Sequence, residues 1–364
     1  MTEPAVDALL LVSFGGPEGP TDVLPFLRNV TRGRGVPDDR LALVAEHYHH
    51  FGGASPINEQ NRALIAAVEA DLAAHGLALP VYWGNRNWHP YLADTVGRMA
   101  AAGVRRALAF VTSAYSGYSS CRQYQEDIAA ARAEVGPTAP EIDKLRHYYN
   151  HPGFIAAMVA STRAALAELP PAGRPGAELV FVAHSIPISM AAGSGPAGDA
   201  YRTQLEEAAR LVADGVGGGH RWHLAYSSRS GAPGSPWLEP DIGDHLETLA
   251  ARGVTDVVAV PIGFVSDHME VRYDLDVEAR GRADSVGLRF ARAATVGTAP
   301  AFVAVVRELV LERTMPGRPR PALGRLGAGW DVCPPGCCRA ASGRPQRGDG
   351  APSAPFSHRV APRV

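Results

Sequence analysis

The residues best equipped for chemistry fall in three places. Glu270, Asp274 and Glu278 recur at i, i+4 and i+8, which on one helix makes a row of carboxylates along a single face. Like charges at that spacing destabilise an isolated helix by about 0.2–0.5 kcal/mol per pair, so the row needs a reason to exist. One reading is a solvated acidic face softened by Arg272 and Arg280; the other is a set of hard oxygen donors for a divalent cation. His184 follows the apolar run Leu179–Ala183. An imidazole there can accept a proton near neutral pH or ligate a metal, and the bland alternative is a hydrogen-bonded core histidine. Cys333, Cys337 and Cys338 crowd within six residues around a Pro-Pro-Gly turn, and Cys121 is the fourth cysteine. Four thiolates suit an iron–sulfur cluster, here [2Fe–2S], or equally a structural zinc ion.

Buried strands position two of these groups. Val254–Val265 is an apolar, β-branched run without polar alternation, as expected of a buried parallel strand, and the carboxylate row begins just past it. Ser266 or Asp267 is placed to cap the helix that follows. Open α/β sheets bind ligands outside the carboxyl ends of their strands, and His184 and Glu270 both follow strand ends. Ala8–Ser13, Val81–Gly84, Ala107–Thr112 and Trp222–Ser227 read as further strands. Helical patterns lie between them over residues 21–27, 61–74, 91–102, 121–135, 154–169, 201–214 and 241–252. This alternation predicts two doubly wound, Rossmann-like domains, each a parallel sheet flanked by helices, with a cleft between them. The expected division is 1–150 and 151–299, with a last amphipathic helix, Pro300–Glu312, and a tail over 340–364 too poor in apolar residues to fold. Strand, Gly15-Gly16, helix lacks the spacing of a nucleotide-binding turn, which excludes that reading. His47, Tyr48, His49 and His50 fall on an expected surface helix without a fixed ligand geometry.

Composition narrows the class. In 364 residues, Lys and Arg number 35 against 37 Asp and Glu, so no basic footprint marks nucleic acid or an anionic membrane as partner. No apolar run approaches the 18 or more residues of a membrane span. The first residues carry acids where a secretory signal carries positive charge. The expectation is a cytoplasmic monomer acting on small molecules.

GFVSDHMEVRYDLD closely resembles the signature segment of ferrochelatases, which insert ferrous iron into porphyrins. VFVAHSIPIS resembles a second family segment, VSFGGPEGPTDV the family's N-terminal strand and loop, and GGASPI a substrate-contacting segment. The resemblance spans roughly residues 9–313. It implies a chelatase-type fold in which the C-terminal segment 300–338 packs back on the first domain. It implies that His184 and Glu270 face the pyrrole nitrogens and the Fe²⁺ substrate, with Asp274 and Glu278 continuing an acidic ladder. His268 then supports a neighbouring carboxylate. Phe14 lies near one porphyrin face, Trp237 walls the cleft, and Ser55, Tyr124, Arg32 and Arg34 are implied porphyrin contacts. The division of one internal and three C-terminal cysteines resembles that of cluster-bearing members. The SFGGPEGP segment and the C-terminal CPPGCC resemble actinobacterial members, which implies coproporphyrin III as substrate. The alternatives are protoporphyrin IX, a sirohydrochlorin-type chelatase, and a non-enzymatic tetrapyrrole carrier.

Overall fold

The computed structural model describes residues 6–33, 35–230, 236–334 and 336–340. The strands are β1 Ala8–Ser13, β2 Val81–Asn85, β3 Arg106–Val111, β4 Glu141–Lys144, β5 Glu178–His184, β6 Trp222–Ser227, β7 Asp256–Val260 and β8 Arg289–Arg292. The helices of the first half are α1 Val23–Val30, α2 Asp38–His49, α3 Ile57–Ala74, α4 Leu92–Ala101 and α5 Gln123–Val135. Those of the second are α6 Pro152–Glu168, α7 Ile188–Ala192, α8 Ala200–Val216, α9 Ile242–Ala251, α10 Arg280–Ser285 and α11 Pro300–Thr314. Two π-helical segments, Tyr118–Arg122 and Val271–Ala279, precede α5 and α10.

Each half folds into one four-stranded parallel sheet, in the orders β2-β1-β3-β4 and β6-β5-β7-β8. The two orders are the same topology used twice. The chain reverses direction across the sheet between β1 and β3, and again between β5 and β7. At such switch points the loops diverge and leave a crevice at the carboxyl edge. β1 is buried at all six positions and β7 at all five, because helices cover both faces of each sheet. Among the described residues no helix is long and apolar enough to cross a membrane.

The structure corrects several local expectations. β7 ends at Val260, not Val265. Pro261 has no N–H to give to a ladder, and Ile262 N–H turns back to Val260 O at 2.7 Å. α3 begins at Ile57, four residues ahead of the expected Asn61. β4, EIDK, and β8, RFAR, are four-residue edge strands whose polar residues hide them from an apolar-run search. The tail expected to be disordered lies, from residue 341, outside the described residues.

One apolar core runs through both halves, from Leu9 and Phe110 of the first sheet through Phe154 and Phe302 to Phe181 and Val260 of the second. α11 is wedged against α3, where Arg307 meets Asp71 at 2.5 Å, and against α6. Gly153 permits the second contact: a Cβ there would stand 2.4 Å from Ala301 O. At the end of α11 the Arg146 guanidinium forks onto Glu312 at 2.7 and 2.8 Å, with side chains only 1% and 2% exposed. Removing one partner strands the other charge in the core. Arg146→Ala is expected to cost about 3–5 kcal/mol in urea unfolding. Arg146→Leu combined with Glu312→Leu is expected to cost less than either single change.

Candidate active site

The carboxyl edge of the second sheet brings an imidazole and a carboxylate together. His184 is the last residue of β5 and Glu270 opens the helix that follows the β7 loop. Their approach depends on Gly263, where a Cβ would lie 2.7 Å from Ala183 Cα, so the loop lies flat against the end of β5. His184 Nε2 stands 3.5 Å from Glu270 Oε2, and its Nδ1 donates to Ser185 O at 2.5 Å. That second bond fixes the ring, so Nε2 is the nitrogen offered to the cleft.

His268, rather than Ser266 or Asp267, caps the helix. Its Nδ1 accepts from Glu270 N–H at 3.1 Å. The Asp267 carboxylate is engaged instead by Arg292 and by Thr295 Oγ1 at 3.1 Å. His268 therefore bonds Glu270's backbone, while its ring stays 3.9 Å from the carboxylate. Burial pushes its pKa down, with His184 adding to the effect against Glu270, which agrees with an unprotonated Nδ1 acting as acceptor.

The electrostatics are those of a preformed ion pair. Side chains of His184 and Glu270 are 34% and 49% exposed, but to a walled cleft, so desolvation still acts on both. Burial pulls His184 down, yet Glu270 overrides it and raises the imidazole to about 9. Burial pushes Glu270 up, yet His184 overrides it and lowers the carboxyl to about 2. Asp274 has no such counter-ion. Burial and then Glu270 lift it to about 7, against a hydrogen bond from Ser228 Oγ. Near neutral pH this edge holds one imidazolium, one carboxylate and one carboxyl group poised to titrate. It can take a divalent cation and receive protons at adjacent atoms.

Beyond Asp274 the row reaches Glu278, which is exposed. A polar cavity of about 420 Å³ opens beside both, with Ser228, Asp241 and Arg282 among its walls. Across the cleft the first sheet contributes an apolar floor. Phe14 is 37% exposed after β1 and packs edge-on against Phe26 at 6.3 Å, with Tyr48 and Trp88 around the same ring.

The family model for ferrochelatase matches residues 6–314. The chain belongs to the ferrochelatase family. It is 58% identical to the coproporphyrin III ferrochelatase of Streptomyces coelicolor over 93% of this chain and 95% of that one. It is 60% identical to the coproporphyrin III ferrochelatase of Frankia alni over 92% and 87%. A ferrochelatase of Rhodopirellula baltica is 51% identical over 96% and 98%. Among solved structures, SirB from Bacillus subtilis with Fe³⁺ superposes with a TM-score of 0.52 at 11% identity, covering 84% of this chain and 96% of that one, a likeness of fold.

The remaining residues expected from the resemblance are not all brought to this edge. Trp237 is half-buried and bridges Pro187 just before α7. Ser55 is 7% exposed, held against the β1 loop by its N–H to Pro17 O at 2.8 Å. Tyr124 is 4% exposed in the first lobe's core and lies beneath the Arg86 guanidinium, 3.6 Å above its ring. The structure thus covers Tyr124 with Arg86 on its guanidinium side. Arg32 is exposed beyond α1, and Arg34 lies outside the described residues. Two residues near the row escaped the sequence reading. Ser228 bonds Asp274, and Tyr48 has its phenol pushed up by burial, Glu270 and Asp274. Ser228 stands just past the end of β6, a position signal that could have found it.

The four cysteines lie near one another. Cys121 is within hydrogen-bonding reach of Cys333 and Cys338, and Cys337 Sγ lies 3.6 Å from Cys338 Sγ. Cys338 has a φ of 55°, in the left-handed region, and Gly195 N–H donates to its sulfur at 3.1 Å. Among the described residues, no three potential ligands already stand around a metal position. All four are free thiols, and the Cys333 thiol is pushed up by Cys121 and by burial.

The electrostatics give a direct test. In Glu270→Gln the main charge that keeps His184 protonated is gone, and burial is opposed only by the Ser185 bond and Asp274. The His184 pKa, followed by NMR through its ring protons, is expected to fall clearly from about 9. An unmoved titration would refute the coupling.

Proposed function

We propose that this enzyme inserts Fe²⁺ into coproporphyrin III, releasing two protons and the iron complex. The carrying observation is the His184–Glu270 pair, 3.5 Å apart at the cleft edge of a chain that is 57–60% identical to coproporphyrin III ferrochelatases of Streptomyces and Frankia. His184 and Glu270 act as metal ligands and proton acceptors, and Asp274 and Glu278 form the ladder along which the cation arrives. Fe²⁺ engaging Glu270 replaces the imidazolium as counter-ion. His184 then loses its proton and becomes able to accept one from a pyrrole nitrogen. Asp274, near 7, can pass protons on toward solvent. Phe14 and Trp237 pack on the ring, while Ser55, Tyr124, Arg32 and Arg34 serve the propionates. We assign residues 1–150 with 300–338 to one domain and 151–299 to the other, and place the enzyme as a cytoplasmic monomer.

The assay is anaerobic incubation with Fe²⁺ and porphyrin, watching loss of the free-base spectrum. Coproporphyrin III is expected to be metallated faster than protoporphyrin IX. His184→Ala is expected to abolish insertion while porphyrin binding, read by fluorescence quenching, survives. Preference for protoporphyrin, or near-normal turnover of His184→Ala, would overturn the reading.

The cysteine corner supports a second assignment, a [2Fe–2S] cluster on Cys121, Cys333, Cys337 and Cys338. The thiols fit it: four sulfurs gather where several thiolates are unfavourable without a cation, so cluster binding must release protons. When bound, such a cluster supplies a covalent cross-link between distant segments. Cys121, beside α5, and Cys333, Cys337 and Cys338 of the C-terminal segment are the residues that would hold it. Protein purified without oxygen is expected to be reddish, with about two irons and two acid-labile sulfides per chain. Cys121→Ser is expected to bleach it and lower the melting temperature. Colourless protein with stoichiometric zinc would replace the cluster by a structural zinc site.

A further inference from the structure

The histidine-rich end of α2, which the sequence leaves on a solvated surface, reaches across to the second lobe. His47 stacks on Tyr273 with ring centroids 3.7 Å apart and planes within 9°. His50 meets the same tyrosine edge-on at 6.3 Å. Next to this stack the Arg272 guanidinium lies over the Phe51 ring at 5.2 Å. Tyr273 belongs to the π-helix, between Glu270 and Asp274 on one side and Asp276 on the other. We propose that the His47–Tyr273 stack is an interlobe clasp that positions Glu270 and Asp274 for the incoming metal. The proposal rests on the assignment of those two carboxylates to the metal side.

The geometry supports positioning rather than generic packing. Val271, Leu275 and Ala279 anchor the π-helix in the core of the second lobe. That stripe and the Arg292–Asp276 ion pair tie the helix to its own lobe. A near-coplanar stack from a different face, reached from the other lobe, fixes its rotation relative to that lobe. Rolling would carry Asp274, the residue after Tyr273, away from Ser228 and from the line set by Glu270. The residue beside His47, Tyr48, belongs to the apolar floor and faces the same two carboxylates. α2 therefore borders the row. His47 and Tyr273 are both only half-buried, so either can be truncated without opening a core cavity.

The test compares His47→Ala, Tyr273→Ala, the double variant, and the ring-preserving changes His47→Phe and Tyr273→Phe. If the clasped arrangement is the metal-competent one, losing it lowers the competent fraction and raises the apparent Fe²⁺ requirement. Each alanine variant is expected to raise KM for Fe²⁺ about two- to tenfold, the range of an aromatic pair, with kcat and porphyrin affinity retained. The double variant is expected to be no worse than the worse single one, since both remove the same contact. The phenylalanine variants are expected to restore the wild-type KM. An unchanged KM in folded alanine variants overturns the clasp. So does a joint fall in kcat, KM and melting temperature that phenylalanine does not rescue. Glu270→Gln in the same series separates the two levels. If it keeps turnover, the carboxylate assignment fails and takes the clasp with it. If it is inactive while the clasp variants behave as wild type, the clasp alone fails.

Discussion

An imidazolium and a carboxylate at a partly desolvated cleft edge keep each other charged, and the rest of the site is arranged around that pair. Desolvation favours the neutral form of each, and each offsets it for the other across 3.5 Å. The same burial, reinforced by the Glu270 charge, outweighs the Ser228 bond at Asp274, which is why its carboxyl sits near 7 while Glu270, one turn away, sits near 2. A cation entering beside Glu270 competes with the imidazolium for the same negative charge. Metal uptake and proton release are therefore one electrostatic event, which suits a reaction that exchanges two pyrrole protons for one divalent ion.

Holding that pair beneath a planar macrocycle requires two lobes at a fixed separation. The ties between them are polar bonds at the strand ends together with a shared apolar core. Tyr115, past β3, donates its hydroxyl to Ile262 O at 2.9 Å, in the loop that leads to Glu270. Gln204 of α8 accepts from Ser116 N–H at 2.7 Å and donates to Ser116 Oγ at 2.9 Å. Gln60 of α3 accepts from Asp267 N–H at 2.8 Å, immediately before the cap of the π-helix. These bonds locate the cleft edge of the second lobe relative to the Phe14 floor of the first. α6 and α11 supply the apolar bulk behind them.

Much of this was legible in the sequence because buried parallel strands are written in one register of residue types. β1 and β6 have the expected bounds, and β5 exceeds them by one residue at each end, since largely apolar or β-branched runs bounded by Gly, Pro or a polar turn admit few alternatives. β7 was overrun by five residues because Ile262, Phe264 and Val265 are buried for tertiary reasons, packing against the cores without pairing in the sheet. β4 and β8 were missed because edge strands carry polar and charged side chains that satisfy no apolar pattern. At the site, residue types and family resemblance pointed to His184 and Glu270. Contacts set by tertiary packing were invisible: the cap from His268, the bond from Ser228, the stack of His47 on Tyr273.

The carboxylate row had two readings, and the placement of the arginines bears on them. A solvated acidic face would use Arg272 and Arg280 to soften Glu270, Asp274 and Glu278. Among the described residues neither arginine pairs with the row. Arg272 turns to Asp276 at 3.1 Å and to the Phe51 ring, while Arg280 donates to Phe290 O at 3.1 Å and lies over that ring. Arg292 reinforces the segregation by holding Asp276 at 2.5 Å and Asp267 at 3.3 Å. The helix thus sorts its acids. Asp276 and, just before the helix, Asp267 are neutralised by guanidinium groups that fix the backbone. Glu270 and Asp274 are left with a histidine and a serine, partners that a metal ion can displace. Such sorting costs helix stability through like-charge repulsion along the row. It is sustained by the wider π-helical turn, a departure from α geometry that recurs at functional sites. A surface selected only for solubility gains nothing from that arrangement, whereas a route for Fe²⁺ needs acids that no fixed cation already occupies.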